Sequence, residues 1–257
     1  MDIYDYLTDE KIKEIDSKIP NVDSWIKYNV LSTSVNDLLN GTNISAALVC
    51  LDDARNRFSF IRTALFEAQA KMIWFLEISP DAPNEFQAVA SGKFFLDYVT
   101  LLLYTIGEDI SFFITHYFSL NIAEYVKNPD IQAILEKKKI SSNAGKVGLY
   151  LSKEMKDDKI TEITSNLHND PNWGKALKYR NTWVHDKPPI ISGLGNEFPR
   201  KIHRTTIDEN GMKNLEILGG VPQYSISQLL DITLSATQTL SVTLSKIIEM
   251  VLSDNQK

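Results

Sequence analysis

Between Ile44 and Phe75 the residues Ile44, Ala47, Leu51, Ala54, Phe58, Ile61, Leu65, Ala68, Met72 and Phe75 recur in alternating steps of three and four. A second run, Val89, Gly92, Leu96, Val99, Leu103, Ile106, Ile110, Phe113, Tyr117 and Leu120, repeats the device beyond the break at Ser79-Pro80. Such steps keep side chains on one stripe of an α-helix and are incompatible with a strand, whose faces alternate at every residue. At ~1.5 Å per residue the first stripe is a rod of roughly 50 Å, which needs an apolar partner of similar length. The short Pro-containing turn at 80 to 83 supplies one by folding the second helix back antiparallel on the first, as half of a bundle.

The rest of the chain is read around that pair. Two modest helices, 2 to 18 and 22 to 39, divide at Pro20 and close at Asn40-Gly41, and they pack outside the long pair. Shorter helices follow over 121 to 127, 130 to 139, 144 to 156 and 160 to 167, with Glu136 to Lys139 as a solvated face. Asp170 and Pro171 open a helix as N-cap and first-turn proline, and Lys187-Pro188-Pro189 ends it. The Gly- and Pro-containing stretch 190 to 222 holds Lys201 to Ile207 and Lys213 to Leu218 around Asn210-Gly211, the pattern of a small β-hairpin. A Ser-x-x-Gln capping box at Ser225 and Gln228, with Tyr224 placed to staple onto Leu229, starts a last helix whose apolar stripe runs from Ile226 to Met250. The expected fold is all-α: an antiparallel up-down helical bundle with two long helices, extra N-terminal helices and a small hairpin insertion. It occupies one domain, 1–257, with an N-terminal extension at 1–41, the bundle at 42–185 and 223–253, and the insertion at 186–222.

Composition narrows the chemistry. A chain of 257 residues with 43% hydrophobic content can bury a substantial core. The single cysteine, Cys50, excludes an intramolecular disulfide framework, and four scattered histidines without a His-x-x-x-His pair make a metal site unexpected. No cofactor is expected. The acidic first residues lack a signal-like apolar segment, and the most apolar run, Val99 to Gly107, is shorter than the ~18 residues of a membrane span, so a cytoplasmic protein with no membrane partner is expected. The net charge of −6 hides an asymmetry: residues 171 to 204 hold seven Lys and Arg against two acids, or +5, leaving −11 elsewhere. That island suits a phosphate-bearing ligand, although a solvated loop of ordinary lysines has the same composition.

On a helical wheel with Trp173 at zero, Leu177, Val184, Ala176 and Trp183 fall at about 40°, 20°, 300° and 280°, and Arg180 at about 340°. The arginine thus sits within the apolar arc, where its permanent charge needs a carboxylate, a phosphate or a route to water. Asp97, Glu108 and Asp109 are candidate carboxylates. Asn181 and His185, four residues apart, stand together at the edge of the arc. Arg180 and His185 are separated by about 140° on an ideal helix, so gripping one phosphate requires an unwound last turn or a second subunit. An arginine to bind a phosphodiester, an amide to orient it and an imidazole to move a proton require no metal. Lys178, Lys187, His203 and Arg204 are the basic residues placed to touch the rest of such a ligand. Alternatively, Arg180 is a core ion pair and His185 a helix cap.

The Arg180-Asn181-x-x-x-His185 sequence at a helix end in an all-helical chain resembles the Arg-x(4–6)-His signature of the HEPN superfamily, whose catalytic members carry a polar residue directly after the arginine. The resemblance implies a metal-independent RNA endonuclease, active as a homodimer, with Arg180 and His185 catalytic and Asn181 as their orienting neighbour. Such proteins serve in defence and in toxin–antitoxin pairs, so an antitoxin protein is a possible partner beside RNA. Toxin members often have Tyr two residues after the His, where this chain has Lys187. The alternatives are a non-catalytic HEPN-like module that binds RNA or protein, and a structural helical dimer with Arg180 as an interface ion pair.

Overall fold

The structure, a computed structural model, describes residues 7–25, 28, 42–185, 189–194 and 222–254, together with the backbone of 202–207 and 213–218. The described chain is predominantly helical. The expected helix 22–39 and the first residues of the expected helix 2–18 lie largely outside the described residues; within them, α1 spans Asp9–Lys18 and is capped by the Thr8 hydroxyl.

The two long stripes become α2 (Asn43–Ile73) and α3 (Glu85–Tyr117). Thr42 and Asn84 cap them, each accepting a backbone N–H three residues on. Helix α2 passes into a π-helical turn at Trp74–Ile78, and the chain re-enters through a hydrogen bond from the Asn84 amide to the Phe75 carbonyl, 2.8 Å. Asn43 bonds Ser119, Arg57 bonds Asp109, and Gly92 lies against Met72. Each partner's number falls as its mate's rises, so α2 and α3 run antiparallel along their whole length. Ala47, Leu51, Ala54, Phe58, Ile61, Leu65 and Ala68 of the first stripe, and Leu96, Val99, Leu103, Ile106 and Phe113 of the second, are buried. Ile44, at the open end, is 38% exposed.

Helices α4 (Ile122–Tyr125), α5 (Pro129–Lys138), α6 (Asn143–Glu154), α7 (Lys159–His168) and α8 (Pro171–His185) follow. The Glu136 to Lys139 run is exposed. Strands β1 (Ile202–Ile207) and β2 (Lys213–Leu218) pair antiparallel, Ile202 opposite Leu218 and Ile207 opposite Lys213; the Asn210-Gly211 turn lies outside the described residues. The last helix, α9 (Ile226–Asp254), begins with the expected reciprocal box: the Ser225 amide donates to Gln228 Oε1 (2.8 Å) and the Gln228 amide to Ser225 Oγ (3.1 Å). The Tyr224 ring meets Tyr179 edge-on, with centroids 5.5 Å apart.

Helix α9 is buried on two flanks, at Leu229, Ala236, Leu240 and Ile247 and again at Leu244, Ile248 and Val251, because α2, α3, α7 and α8 all pack on it. Helix α3 is equally central, touching α2, α6, α8 and α9. Its apolar character extends well beyond Val99 to Gly107: an 18-residue window has a mean hydropathy of 1.3, so by length and composition it could cross a membrane. Contacts with its neighbours bury 44% of that window.

Candidate active site

Helix α8 carries the Arg-Asn-x-x-x-His cluster, and four contacts seat it along α3. Asp170 caps its start, accepting the amides of Asn172 (2.9 Å) and Trp173 (2.7 Å) at Oδ1. The buried Trp173 indole fits against Gly107, where a Cβ would stand 3.3 Å from Cζ2. The Tyr179 hydroxyl donates to Asp97 Oδ1 at 2.6 Å, and Trp183 Nε1 donates to Thr100 Oγ1 at 3.3 Å. Asp97 is also paired with Lys93. Burial, followed by the adjacent Asp97 carboxylate, pushes the Tyr179 phenol far above its usual range, so it acts as a fixed donor.

Arg180 emerges from the edge of this seat. Its Nη1 donates to Asn181 Oδ1 at 2.9 Å and lies 3.1 Å from His185 Nε2. Its Cζ stands 4.0 Å from the centroid of the Tyr104 ring, within the range of a cation–π contact. The buried Nε finds no hydrogen-bond partner among the described residues. Tyr104 is half-buried; burial and the Glu108 carboxylate raise its pKa, while the Arg180 charge pulls the other way. Asn181 and His185 are exposed, so the cluster opens to solvent.

Three expectations are revised by this geometry. None of Asp97, Glu108 or Asp109 forms an ion pair with Arg180 among the described residues: Asp97 serves Lys93 and Tyr179, and Asp109 serves Arg57 at 2.7 Å. Glu108 instead accepts the Ala144 amide at 3.3 Å and lies beside Tyr104. The buried face of α8 is Trp173, Ala176 and Tyr179, rotated from the expected arc toward Tyr179, and Val184, expected inside, is 38% exposed. Finally, α8 stays helical through His185, and the 140° separation is bridged by the length of the arginine side chain alone.

The remaining expected contacts are more scattered. Lys178 is exposed in a groove between α8 and α9. Lys187 lies outside the described residues, and the backbone of His203 and Arg204 lies in β1 opposite Ile217 and Glu216. His168 makes a local contact, Nδ1 to the Thr164 carbonyl at 2.8 Å. No group of three metal-ligating side chains occurs among the described residues. Sequence reading missed Tyr104, although its place next to seam residue Leu103 and four before Glu108 marks the polar edge of α3.

A guanidinium only donates hydrogen bonds, so the 3.1 Å contact is a hydrogen bond only with His185 Nε2 as its acceptor. The cluster is therefore a basic imidazole lone pair held beside a cation with unspent donors, an arrangement that can take up a proton next to a bound anion. No protein-family model matches the chain, and no curated protein or solved structure is significantly similar to it.

Proposed function

We propose that the protein is a metal-independent RNA endonuclease of HEPN type, working through Arg180 and His185. The observation that carries this reading is the convergence of Arg180 Nη1 on His185 Nε2 (3.1 Å) and Asn181 Oδ1 (2.9 Å), with no carboxylate among the described residues neutralising the guanidinium. An arginine left without an ion pair at the surface of a chain of net charge −6 is poised for an anion from outside.

In the proposed reaction Arg180 exchanges its contact with His185 for the scissile phosphate, and the freed His185 Nε2 takes the proton of the ribose 2′-hydroxyl. That oxygen attacks phosphorus and the bond to the 5′-oxygen breaks. The leaving oxygen takes a proton from water or from the second site of a homodimer. The products are a 2′,3′-cyclic phosphate and a 5′-hydroxyl. The nucleophile belongs to the substrate, so the protein supplies orientation, proton transfer and charge stabilisation. Asn181 fixes the guanidinium plane, and the Tyr104 ring supports it from below.

The same reading takes the helices as an up-down bundle interrupted by a hairpin insertion between α8 and α9, and the active form as a homodimer. Supporting the dimer, Phe94 (70% exposed) and Tyr98 (43% exposed) flank Trp183 in an apolar groove beside the cluster, a surface on which a second copy could pack. Incubating RNA with the purified protein in excess EDTA tests the proposal. Cleavage that is lost in His185→Ala while RNA binding is kept supports it; binding without cleavage in the native protein, weakened by Arg180→Ala, supports the non-catalytic module instead.

A further inference from the structure

We infer that the groove between α8 and α9 is an extended subsite for the RNA strand that enters the Arg180–His185 cluster, with Lys175 and Lys178 holding the phosphates next to the scissile one. The inference rests on the ribonuclease reading of that cluster. The groove has a volume of about 520 Å³, and its walls include Asn172, Lys175 and Lys178 from α8, Gln228 and Asp231 from the start of α9, and Tyr224 just before it.

The first argument is alignment. Lys175, Lys178, Asn181 and His185 follow one another at steps of three, three and four, so they form one row along α8. At ~1.5 Å per residue, the row is about 15 Å long and joins the groove to the cluster without a break in the helix. A backbone of regularly spaced negative charges matches such a row, whereas a single small anion would use only one end of it.

The second argument is electrostatic. Lys175 and Lys178 are exposed, stand on the same wall of the groove and, like most described lysines, enter no ion pair among the described residues. Asp231, a carboxylate that lines the groove, stands on the α9 wall and is itself in no ion pair among the described residues. Two cations on one wall and an anion on the other polarise the groove across its width. Phosphates are drawn to α8 and repelled from α9, which turns the bases toward Gln228 and the Tyr224 ring. Aromatic rings accept stacked bases of any sequence, so the groove selects an unpaired strand and not a particular base.

The test is fluorescence anisotropy with a labelled oligouridylate long enough to span α8, in EDTA, over a series of salt concentrations. All proteins carry His185→Ala so that the probe stays intact. The variant Lys175→Ala/Lys178→Ala is expected to bind about tenfold more weakly, and the slope of log affinity against log salt falls by about 1.4, at ~0.7 per phosphate contact on a single strand. Lys175→Arg/Lys178→Arg keeps the slope, which separates lost charge from lost structure. An unchanged slope and affinity in the alanine variant overturns the subsite. If the native protein cleaves RNA when that happens, the catalytic reading survives and the groove assignment alone fails; if the native protein neither binds nor cleaves RNA, both fall together.

Discussion

His185 Nε2 lies 3.1 Å from Arg180 Nη1 although the two residues are about 140° apart on an ideal helix. The arginine side chain crosses the helix surface to make that contact, lying over the Tyr104 ring of α3 as it does so. The site is therefore assembled by two helices, and disturbing α3 disturbs it as surely as mutating α8.

Tyr104 is the first test of that statement. Removing the ring in Tyr104→Ala frees the guanidinium and removes a contact worth about 1 kcal/mol, so the RNA cleavage rate should fall about fivefold. Tyr104→Phe keeps the π face and should stay within about twofold of the native rate. Steady-state kinetics on both variants, with kcat and KM separated, checks this. Equal losses in the two would assign the effect to the hydroxyl and Glu108 instead.

Arg180→Lys should not rescue Arg180→Ala. Nη1 alone holds Asn181 and His185, leaving the rest of the guanidinium to donate to a phosphate, and a hydrated ammonium has no such planar set of donors, so both variants should lose about 10²-fold or more in kcat/KM. A lysine variant with near-native activity would show that only the charge matters.

The seat of α8 makes a stability prediction. Tyr179→Phe leaves Asp97 without its short phenolic donor and should destabilise the fold by about 1.5–3 kcal/mol, the range for a bond to a charged group. Gly107→Leu should cost about 1–3 kcal/mol by driving a side chain into the Trp173 indole. Urea denaturation of each variant measures both, and cleavage should decline with the seat even though neither residue touches RNA.

Asp109 provides a pH signature away from the site. Burial, opposed by Arg57 and reinforced by Asp53 and Glu108, pushes its carboxyl up to about 6. A carboxyl whose folded-state pKa exceeds its unfolded value of ~3.9 keeps its proton longer when folded. Its contribution to stability is thus fully present below the unfolded value and is lost as pH rises through about 6. The native protein should accordingly lose stability between about pH 4 and 6 through this group, and Asp109→Asn should flatten that slope in thermal melts. An identical slope in the variant would contradict the assignment.

The helices were legible because their signals are local. The three-four stripes of α2 and α3, the Asp170 cap and the Ser225–Gln228 box depend on residues within a turn or two of each other, and the structure has all of them. Legibility ended where a long side chain or a distant helix decided the outcome. A wheel of Cβ directions cannot show that Arg180 reaches His185, and Arg57 is separated from Asp109 by 52 residues. The phase of α8 was misjudged for a related reason. Tyr179 is not part of the apolar arc read from the sequence, yet Asp97 satisfies its hydroxyl and lets the ring go inside, carrying the buried face around with it.

The most direct measurement is the chemistry of the RNA ends produced by native protein and by His185→Ala in excess EDTA. The account predicts fragments with 2′,3′-cyclic phosphates and 5′-hydroxyls from the native protein, and a rate lower by about 10²–10⁴ in the variant. No fragments from the native protein, a requirement for a divalent metal, or 3′-hydroxyl and 5′-phosphate ends would contradict it.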